Sequence, residues 1–296
     1  MKTVWLIEKD LHEPEFYQRM EDALMQNDIH YRMVSYDNNQ SKHEQCKHYL
    51  HVLTDIMPEA RWVIPYGSVD FVKCCHDVTG HIGRAFNFKT FFDLHKLSFE
   101  QYTVHGAKYM LNQNFVIISY AELKRRRDFF FNIFGKDIGK GKAIFVRPVS
   151  NDKVFTGRLF YDDSFEREIV YMGYSKPPQM DPAMLVVVAS PVELIKEYRF
   201  AIVDTQVVAA TCYQQWMNGL PDNEEIPGCD NMSVRWLAEK IAMDKQFNPD
   251  DAYILDIAST PDGPGMIEIG SINSAGWYAM DCDAIITALA KLAEKH

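Results

Sequence analysis

Two acidic residues in neighbouring apolar runs constrain the fold of this chain most strongly. Asp256 lies at the end of the run YILDI, and Glu268 lies inside the next run, MIEIG, within residues 251–281. The Pro-Asp-Gly turn at residues 261–263 separates the two runs and reverses the chain. The runs are therefore predicted to pair as antiparallel strands, with their carboxylates facing each other across the ladder.

Opposed carboxylates repel each other, so a positive group is expected between them. A hard divalent cation is the usual solution, and Mg²⁺ held by one or two carboxylates plus substrate phosphates is a common arrangement. In the alternative interpretation, Asp256 caps a turn and Glu268 faces solvent. Other features of the sequence must decide between the two.

The composition excludes several classes of protein. Hydrophobic residues make up 47% of the chain and charged residues 24%, which are values typical of a globular protein. Its length of 296 residues indicates two or three lobes. We expect a cytoplasmic protein without a membrane segment, since there is no apolar run of 18 residues and the N-terminal segment is charged too early for a signal peptide. The net charge of -10 argues against nucleic-acid binding. The six cysteines form no CxxC pair, which favours reduced, mostly buried thiols.

The order of predicted elements divides the chain into an α/β lobe and an α+β lobe. Residues 1 to about 90 alternate strand and helix, which predicts a parallel sheet with helices on its faces and ligands at the carboxyl ends of its strands. From about residue 115 the pattern changes to paired strands, and helices return at 231–245 and 279–296. We predict one domain over residues 1–100 and a second over residues 101–296.

Two clusters have both a functional and a structural interpretation. His48 and His51 share one face of a predicted helix, but two such ligands do not complete a metal site, so an exposed helical surface is favoured. The basic segment 124–142 fits a solvated helix followed by a flexible loop at least as well as it fits a phosphate-binding segment.

A fixed cation and a mobile cation follow in the second lobe. Arg147 lies on a predicted strand, and Lys153 lies in the polar turn after it, which ends at Gly157. Two such cations can clamp neighbouring phosphates, while glycine lets backbone amides approach them. We therefore predict phosphate contacts from Arg147 and Lys153.

The next predicted strand supplies groups suited to a nucleoside. Its exit, from Val188 to Ser190, is predicted to offer backbone groups to a purine edge. Glu193 or Glu197 is predicted to accept hydrogen bonds from ribose hydroxyls, and Arg199 projects from the following strand. Each of these signals is weak alone, but their order along the chain is more specific.

That order resembles the ATP-grasp superfamily, in particular a phage-associated clade related to the RimK-type carboxylate-amine ligases. The matching segments are FVRPVSNDKVFTG, EYRFAIVDTQVVAATCY and YILDIA with MIEIGSINSAGWY. The resemblance covers roughly residues 100–296, and the preceding α/β lobe suits the domain that usually precedes such a module. It implies that ATP lies between two α+β subdomains, with Arg147 and Lys153 at its phosphates and with Asp256 and Glu268 holding Mg²⁺.

The chain departs from the family pattern at two positions. Many family members carry Lys where Arg147 stands, and Arg can still clamp phosphate as a fork. Many carry Asn where this chain has Gly270, so that one metal-ligating oxygen is missing. Either Asn273 or Ser271 is predicted to supply that oxygen, or one Mg²⁺ is bound more weakly.

The mechanism implied by the resemblance has two stages. A carboxylate attacks the γ-phosphate of ATP and gives an acyl phosphate, and an amine or a similar nucleophile then displaces phosphate. Lys153 is the predicted catalytic cation at the transferred group, and Arg199 is predicted to stabilise the anionic tetrahedral stage. The expected substrates are small-molecule or peptide carboxylates and amines.

One other function is open to this sequence, and another is disfavoured by it. A nucleotide-binding regulatory or scaffold module would retain ATP without ligation, which Gly270 admits. A nucleic-acid ligase with a lysyl adenylate would need a KxDG stretch, which is absent from the sequence. If Asp256 and Glu268 repel each other in the ligand-free protein, Asp256→Asn and Glu268→Gln should keep or raise its melting temperature.

Overall fold

The computed structural model describes most of the chain. The described residues are 3–37, 39–41, 44–45, 48–49, 51–52, 62–81, 87–88, 91, 93, 95–150, 154–171, 180–217 and 220–295. Within these ranges the strands form three sheets.

The first sheet is parallel and is built from the N-terminal part of the chain. Its strands, in the spatial order β2-β1-β3-β4, are β1 (Thr3–Glu8), β2 (His30–Val34), β3 (Trp62–Tyr66) and β4 (Asn87–Phe88). Helix α1 (Pro14–Gln26) follows β1, and helix α2 (Val69–His81) follows β3. The predicted parallel sheet is thereby confirmed.

Helix α1 shows why the N-terminal alternation forms this sheet. Its buried residues, Phe16, Met20, Ala23 and Leu24, recur at helical spacing and face the sheet core. The predicted helix between β2 and β3 lies largely outside the described residues. His48 and His51 are exposed there, as the structural interpretation expects.

The second sheet is antiparallel and follows helix α3 (Phe99–Gly106) and a short 3₁₀ turn. Its strands are β5 (Phe115–Ser119), β6 (Lys136–Ile138), β7 (Gly141–Pro148), β8 (Arg158–Tyr161) and β9 (Leu185–Ala189). They lie in the order β5-β9-β7-β6, with β8 also paired to β7. Three helices accompany them, α4 (Tyr120–Arg125), α5 (Arg127–Phe134) and α6 (Phe165–Tyr171), and together they enclose an aromatic core.

The third sheet is also antiparallel and carries the predicted hairpins. Its strands are β10 (Lys196–Val203), β11 (Gln206–Met217), β12 (Leu220–Asp222), β13 (Ile226–Pro227), β14 (Ala252–Thr260) and β15 (Gly263–Ser271). Their order is β12-β11-β10-β14-β15, with β13 beside β11. Helices α7 (Met232–Ala242) and α8 (Cys282–Lys295) pack on this sheet. Both predicted hairpins, β10–β11 and β14–β15, are confirmed.

The first and third sheets share one hydrophobic core. Trp5 and Ile7 of β1 belong to the same buried cluster as Ala201 of β10, Ile254 of β14 and the apolar face of α8. The N-terminal lobe therefore packs directly on the sheet that carries the two predicted carboxylates. The domain boundary at residue 100 stays a prediction.

Candidate functional site

Three strands of the third sheet carry charged side chains in register. Arg199 of β10 lies opposite Asp256 of β14, and Asp256 lies opposite Glu268 of β15. Successive side chains of a strand point to opposite faces. The neighbours of Arg199, Tyr198 and Phe200, accordingly belong to the buried core on the other face. The alternation of the sequence thus separates a charged face from an apolar one.

Arg199 binds Asp256 through a bidentate pair. Its Nε donates to Oδ1 at 2.8 Å, and its Nη2 donates to Oδ2 at 2.7 Å. Its Nη1 donates to the carbonyl oxygen of Gly276 at 2.9 Å. The two side chains are only 11% and 3% exposed. Burial lowers the pKa of Arg199, but the charge and hydrogen bonds of Asp256 outweigh burial and hold that pKa above its ordinary value.

Arg147 reaches the same face from the second sheet. Its Nη2 lies 2.7 Å from Oε2 of Glu268, and its Nη1 donates to the carbonyl oxygen of Ile267 at 3.3 Å. The guanidinium carbon lies 5.5 Å from the centre of the Phe99 ring, a cation–π contact. The structure therefore brings together four predicted site residues, Arg147, Arg199, Asp256 and Glu268.

The expectation that the two carboxylates repel each other in the ligand-free protein is wrong. Asp256 is neutralised by Arg199 within its own sheet, and Glu268 is neutralised by Arg147 from another sheet. The positive charge that opposed acids require is supplied by arginine in this structure.

The two carboxylates nevertheless fit Mg²⁺ that is shared with phosphates. Each oxygen of a carboxylate has a lone pair beyond the one that an arginine N–H uses, so Asp256 and Glu268 can still donate to a metal. Among the described residues, no group of three or more His, Cys, Asp and Glu side chains could hold a metal ion. A site of three or more such side chains therefore does not fit the described part of the chain, whereas one or two carboxylates completed by phosphate oxygens do.

Glu197 lies two residues before Arg199 on β10 and accepts a hydrogen bond from the Tyr213 hydroxyl. Burial raises the pKa of Glu197 to about 7, the Tyr213 hydrogen bond opposes this rise, and the charges of Asp256 and Glu268 add to it. A carboxyl group with this pKa changes its charge near neutral pH. Its ribose contact stays a prediction.

Tyr213 and Tyr278 form a stacked pair of rings beside Arg199. The ring centres lie 5.0 Å apart at an interplanar angle of 10°, and the Arg199 guanidinium carbon lies 5.2 Å and 4.8 Å from them. Tyr213 was not among the site residues predicted from the sequence. The signal available was its position on β11, which pairs with the strand that carries Glu197 and Arg199.

The predicted nucleoside-binding residues lie at different places around strand β9. Val188 is buried inside the strand and pairs with Val116 on one side and Val146 on the other, so its backbone belongs to the sheet ladder. Ser190 follows the strand and is half-buried, and its backbone carbonyl oxygen accepts a hydrogen bond from Asn112 Nδ2 at 2.5 Å. Glu193 is exposed. Of these residues, Ser190 is the one placed at the strand exit.

The polar turn after β7 is described only in part. Lys153 lies outside the described residues, so its phosphate and catalytic roles stay predictions. Gly157 packs closely against the strand of Arg147. An added Cβ there would lie 2.9 Å from Phe145 Cζ and 3.0 Å from Arg147 Cβ, and glycine avoids this clash.

Asn273 connects the third sheet to the N-terminal lobe. Its Oδ1 accepts from the Phe91 backbone N–H at 2.8 Å, and its Nδ2 donates to the carbonyl oxygen of Pro65 at 2.6 Å. Ser271 Oγ donates to the carbonyl oxygen of Phe91 at 2.9 Å. Both side chains are buried. Metal ligation by Asn273 or Ser271 stays a prediction, while their observed contacts fix the loop that presents the Gly276 carbonyl to Arg199.

The basic segment 124–142 supports the structural interpretation. Arg125 pairs with Glu122 at 2.7 Å, and Arg127 pairs with Asp162. Arg126 lies over the Phe129 ring at 4.1 Å. These cations therefore have partners on their own lobe. Gly139, in the turn after β6, and Gly141, the first residue of β7, adopt positive φ.

Known proteins resemble this chain in sequence pattern and in fold. A family model described as ATP-grasp domain, R2K clade family 2, matches residues 126–288, more than half of the chain. No curated protein matched the sequence. Among the described residues, no helix is long and apolar enough to cross a membrane.

Solved structures of low sequence identity share the fold. A RimK domain ATP-grasp protein from Sphaerobacter thermophilus is 11% identical over 92% of both chains, with a TM-score of 0.56. D-alanine–D-alanine ligase from Bacillus anthracis, complexed with ATP, is 10% identical over 100% of this chain and 98% of the ligase, with a TM-score of 0.57. The macrocyclase MdnC from Microcystis aeruginosa, bound to precursor peptide MdnA, is 12% identical over 99% of this chain and 100% of that one, with a TM-score of 0.54.

Proposed function

The chain belongs to the ATP-grasp R2K clade family 2, and from this premise we propose that it is a ligase that uses ATP to join a carboxylate to an amine or a similar nucleophile. ADP and phosphate are the other products. One protein of the same fold is a D-alanine–D-alanine ligase, and another is a macrocyclase bound to a precursor peptide. The proposed substrates are accordingly small-molecule or peptide carboxylates and amines.

One observation carries this proposal. Two arginines and two carboxylates meet where strand β7 of the second sheet approaches strands β10, β14 and β15 of the third. Phosphoryl transfer requires positioned cations and metal-ligating carboxylates more than it requires a nucleophilic side chain. The two arginines and two carboxylates of the described site support this proposal.

The proposed roles follow from charge and position. Arg147 binds ATP phosphates, with Lys153 as a second phosphate-binding cation, and Ser190, Glu193 and Glu197 lie on the nucleoside side. Asp256 and Glu268 would hold Mg²⁺, which would neutralise phosphate charge during the transfer.

The proposed reaction proceeds in two steps. An oxygen of the substrate carboxylate forms a bond to the γ-phosphorus of ATP while the bond to ADP breaks. The amine nitrogen then attacks the acyl carbon, loses its proton, and phosphate leaves. Arg199 stabilises the oxyanion of this second step, because only three of the five N–H donors of its guanidinium are used by Asp256 and Gly276.

The test is a screen for ADP release with pairs of carboxylates and amines, including free amino acids and short peptides, followed by mass spectrometry of the products. We expect ADP release that requires both substrates and that Glu268→Gln abolishes. Arg235→Gln is the matched control, since that arginine forms an exposed pair on α7. A protein that binds Mg-ATP but releases no ADP with any pair would contradict the ligase proposal.

The second candidate is an ATP-binding regulatory or scaffold module. It is favoured by Gly270, where no atom lies within 4 Å of an added Cβ and where a further metal ligand is expected in an active ligase of this type. ATP binding without any ADP release would support it.

A further inference from the structure

A salt bridge connects the two sheets at the proposed nucleotide site. Arg147 belongs to the second sheet and Glu268 to the third, and their charged atoms lie 2.7 Å apart. The other pair, Arg199 with Asp256, lies within the third sheet. Of the two pairs, the first is the one that links the second sheet to the third, beside the hydrogen bond from Arg147 to the carbonyl oxygen of Ile267.

The two pairs differ in how firmly they are held. Asp256 is 3% exposed, and both of its oxygens accept from Arg199. Glu268 is 38% exposed, and its Oε2 atom lies 2.7 Å from Arg147 Nη2. Separating a buried pair costs much more than separating one with a solvent-accessible partner. The pair of Arg147 with Glu268 is therefore the one that can exchange partners.

Arg147 itself stays in place when its carboxylate partner changes. Its side chain is 9% exposed, stacks near Phe99 and donates to the carbonyl oxygen of Ile267. A buried guanidinium without a counter-ion is costly. Glu268 can therefore leave at low cost only when another anion replaces it.

On the basis of the proposed ATP site, we propose that Arg147 and Glu268 form a latch that the phosphates of ATP open. Arg147 exchanges the Glu268 carboxylate for phosphate oxygens, and Glu268 then becomes available to the metal. A divalent cation alone does not open the latch, because it offers Arg147 no anion. Nucleotide and metal should consequently increase each other's affinity, and this coupling must be reciprocal.

Two variants test the latch with changes of opposite kind. Glu268→Gln frees Arg147 and should raise the affinity for ATP in EDTA, measured by calorimetric titration. Arg147→Met frees Glu268 and should raise the affinity for Mn²⁺ without nucleotide, measured by electron paramagnetic resonance. Each gain should be about fivefold, the value of one partly exposed ion pair. Circular dichroism checks that both variants fold.

Asp256→Asn is the matched control for the ATP measurement. It removes one negative charge from the same ladder without freeing Arg147, so a purely electrostatic gain would appear equally in both variants. The latch predicts the larger gain for Glu268→Gln. It also predicts that this gain disappears in an Arg147→Met background, as a double-mutant cycle would detect.

The outcomes separate the latch from the proposed function. If Asp256→Asn and Glu268→Gln improve ATP binding equally, or if Glu268→Gln does not improve it, the latch is wrong while the ATP site stands. The latch is also wrong if wild type binds Mn²⁺ as tightly as Arg147→Met. If wild type binds no ATP with or without Mn²⁺, the proposed function fails as well.

Discussion

Replacing Asp256 by Asn should destabilise the ligand-free protein, in contrast to the expectation from the sequence. The substitution keeps the shape of the side chain but leaves the Arg199 guanidinium, which is 11% exposed, without its counter-ion. Breaking a buried pair by removing one partner costs about 3–5 kcal/mol. The lower end applies, because Arg199 keeps its hydrogen bond to the Gly276 carbonyl.

This free energy converts into a measurable shift of the melting temperature. Unfolding entropy near the midpoint is about 2.1 cal/mol/K per residue, which for 296 residues is roughly 0.6 kcal/mol/K. A loss of about 3 kcal/mol should therefore lower the Tm by about 5 °C. Glu268→Gln should also lower the Tm, because it leaves the Arg147 guanidinium, which is 9% exposed, without its carboxylate; the drop should be smaller, since Glu268 is 38% exposed and water reaches this pair.

Scanning calorimetry and urea unfolding would measure both variants beside two controls. Arg235→Met breaks the exposed pair with Glu239 on α7, which is 57% and 45% exposed, and should change stability by less than about 1 kcal/mol. The double variant Arg199→Met with Asp256→Leu removes both charges and should recover much of the loss. An Asp256→Asn variant that melts at or above the wild-type temperature would refute this reasoning and restore the view that the two acids repel.

Three further predictions concern individual residues. Burial raises the pKa of Glu197 from 4.5 to about 7, so the unfolded chain loses this proton at a lower pH than the folded protein, and the free energy of unfolding falls as pH rises through that range. Glu197→Gln does not lose stability in this way, so its free energy of unfolding relative to wild type, measured with urea, should increase across the range. A free-energy difference that stays constant with pH would exclude the shift. Gly157→Ala places a Cβ 3.0 Å from Arg147 Cβ, so it should cost about 1–3 kcal/mol of stability and weaken ATP binding measured by calorimetry. An unchanged ATP affinity would show that the turn does not contribute to the ATP site. At Gly270 no atom lies within 4 Å of an added Cβ, so Gly270→Asn should strengthen the Mg²⁺ dependence of ATP binding without loss of stability. An unaltered Mg²⁺ dependence would count against a metal ion beside Glu268.

Local patterns predicted the parts of the fold that local chemistry determines. The β14–β15 hairpin follows from its Pro-Asp-Gly turn and apolar alternation, and the register opposes Asp256 and Glu268 as expected. The ATP-grasp resemblance drawn from these strands is confirmed by the family match and the shared fold. Periodicity likewise predicted the parallel sheet of the N-terminal lobe.

The arginine partners could not be predicted in the same way. Asp256 pairs with Arg199 of β10, and the chain between these two strands includes three strands and helix α7. No turn fixes the register between strands so far apart in sequence. The contact of Arg147 with Glu268 depends on how two separate sheets approach each other, and no local pattern encodes that approach. Opposed acids therefore indicated that a positive charge was needed without identifying its source.

The two arginine–carboxylate pairs of the proposed site have different roles. The pair of Asp256 with Arg199 stays together, whereas the pair of Glu268 with Arg147 exchanges partners. Asp256 with Arg199 is buried and bidentate, so it can hold the guanidinium in one orientation while two of its N–H donors are left for a developing oxyanion. In the other pair the Glu268 side chain is 38% exposed, so a phosphate can replace its carboxylate on Arg147. If the exposures of the two acids were reversed, Glu268 would be held on Arg147 and could not exchange, while Arg199 would lose its fixed orientation. The difference between 3% and 38% exposure is therefore the feature of this site that the proposed chemistry requires most directly.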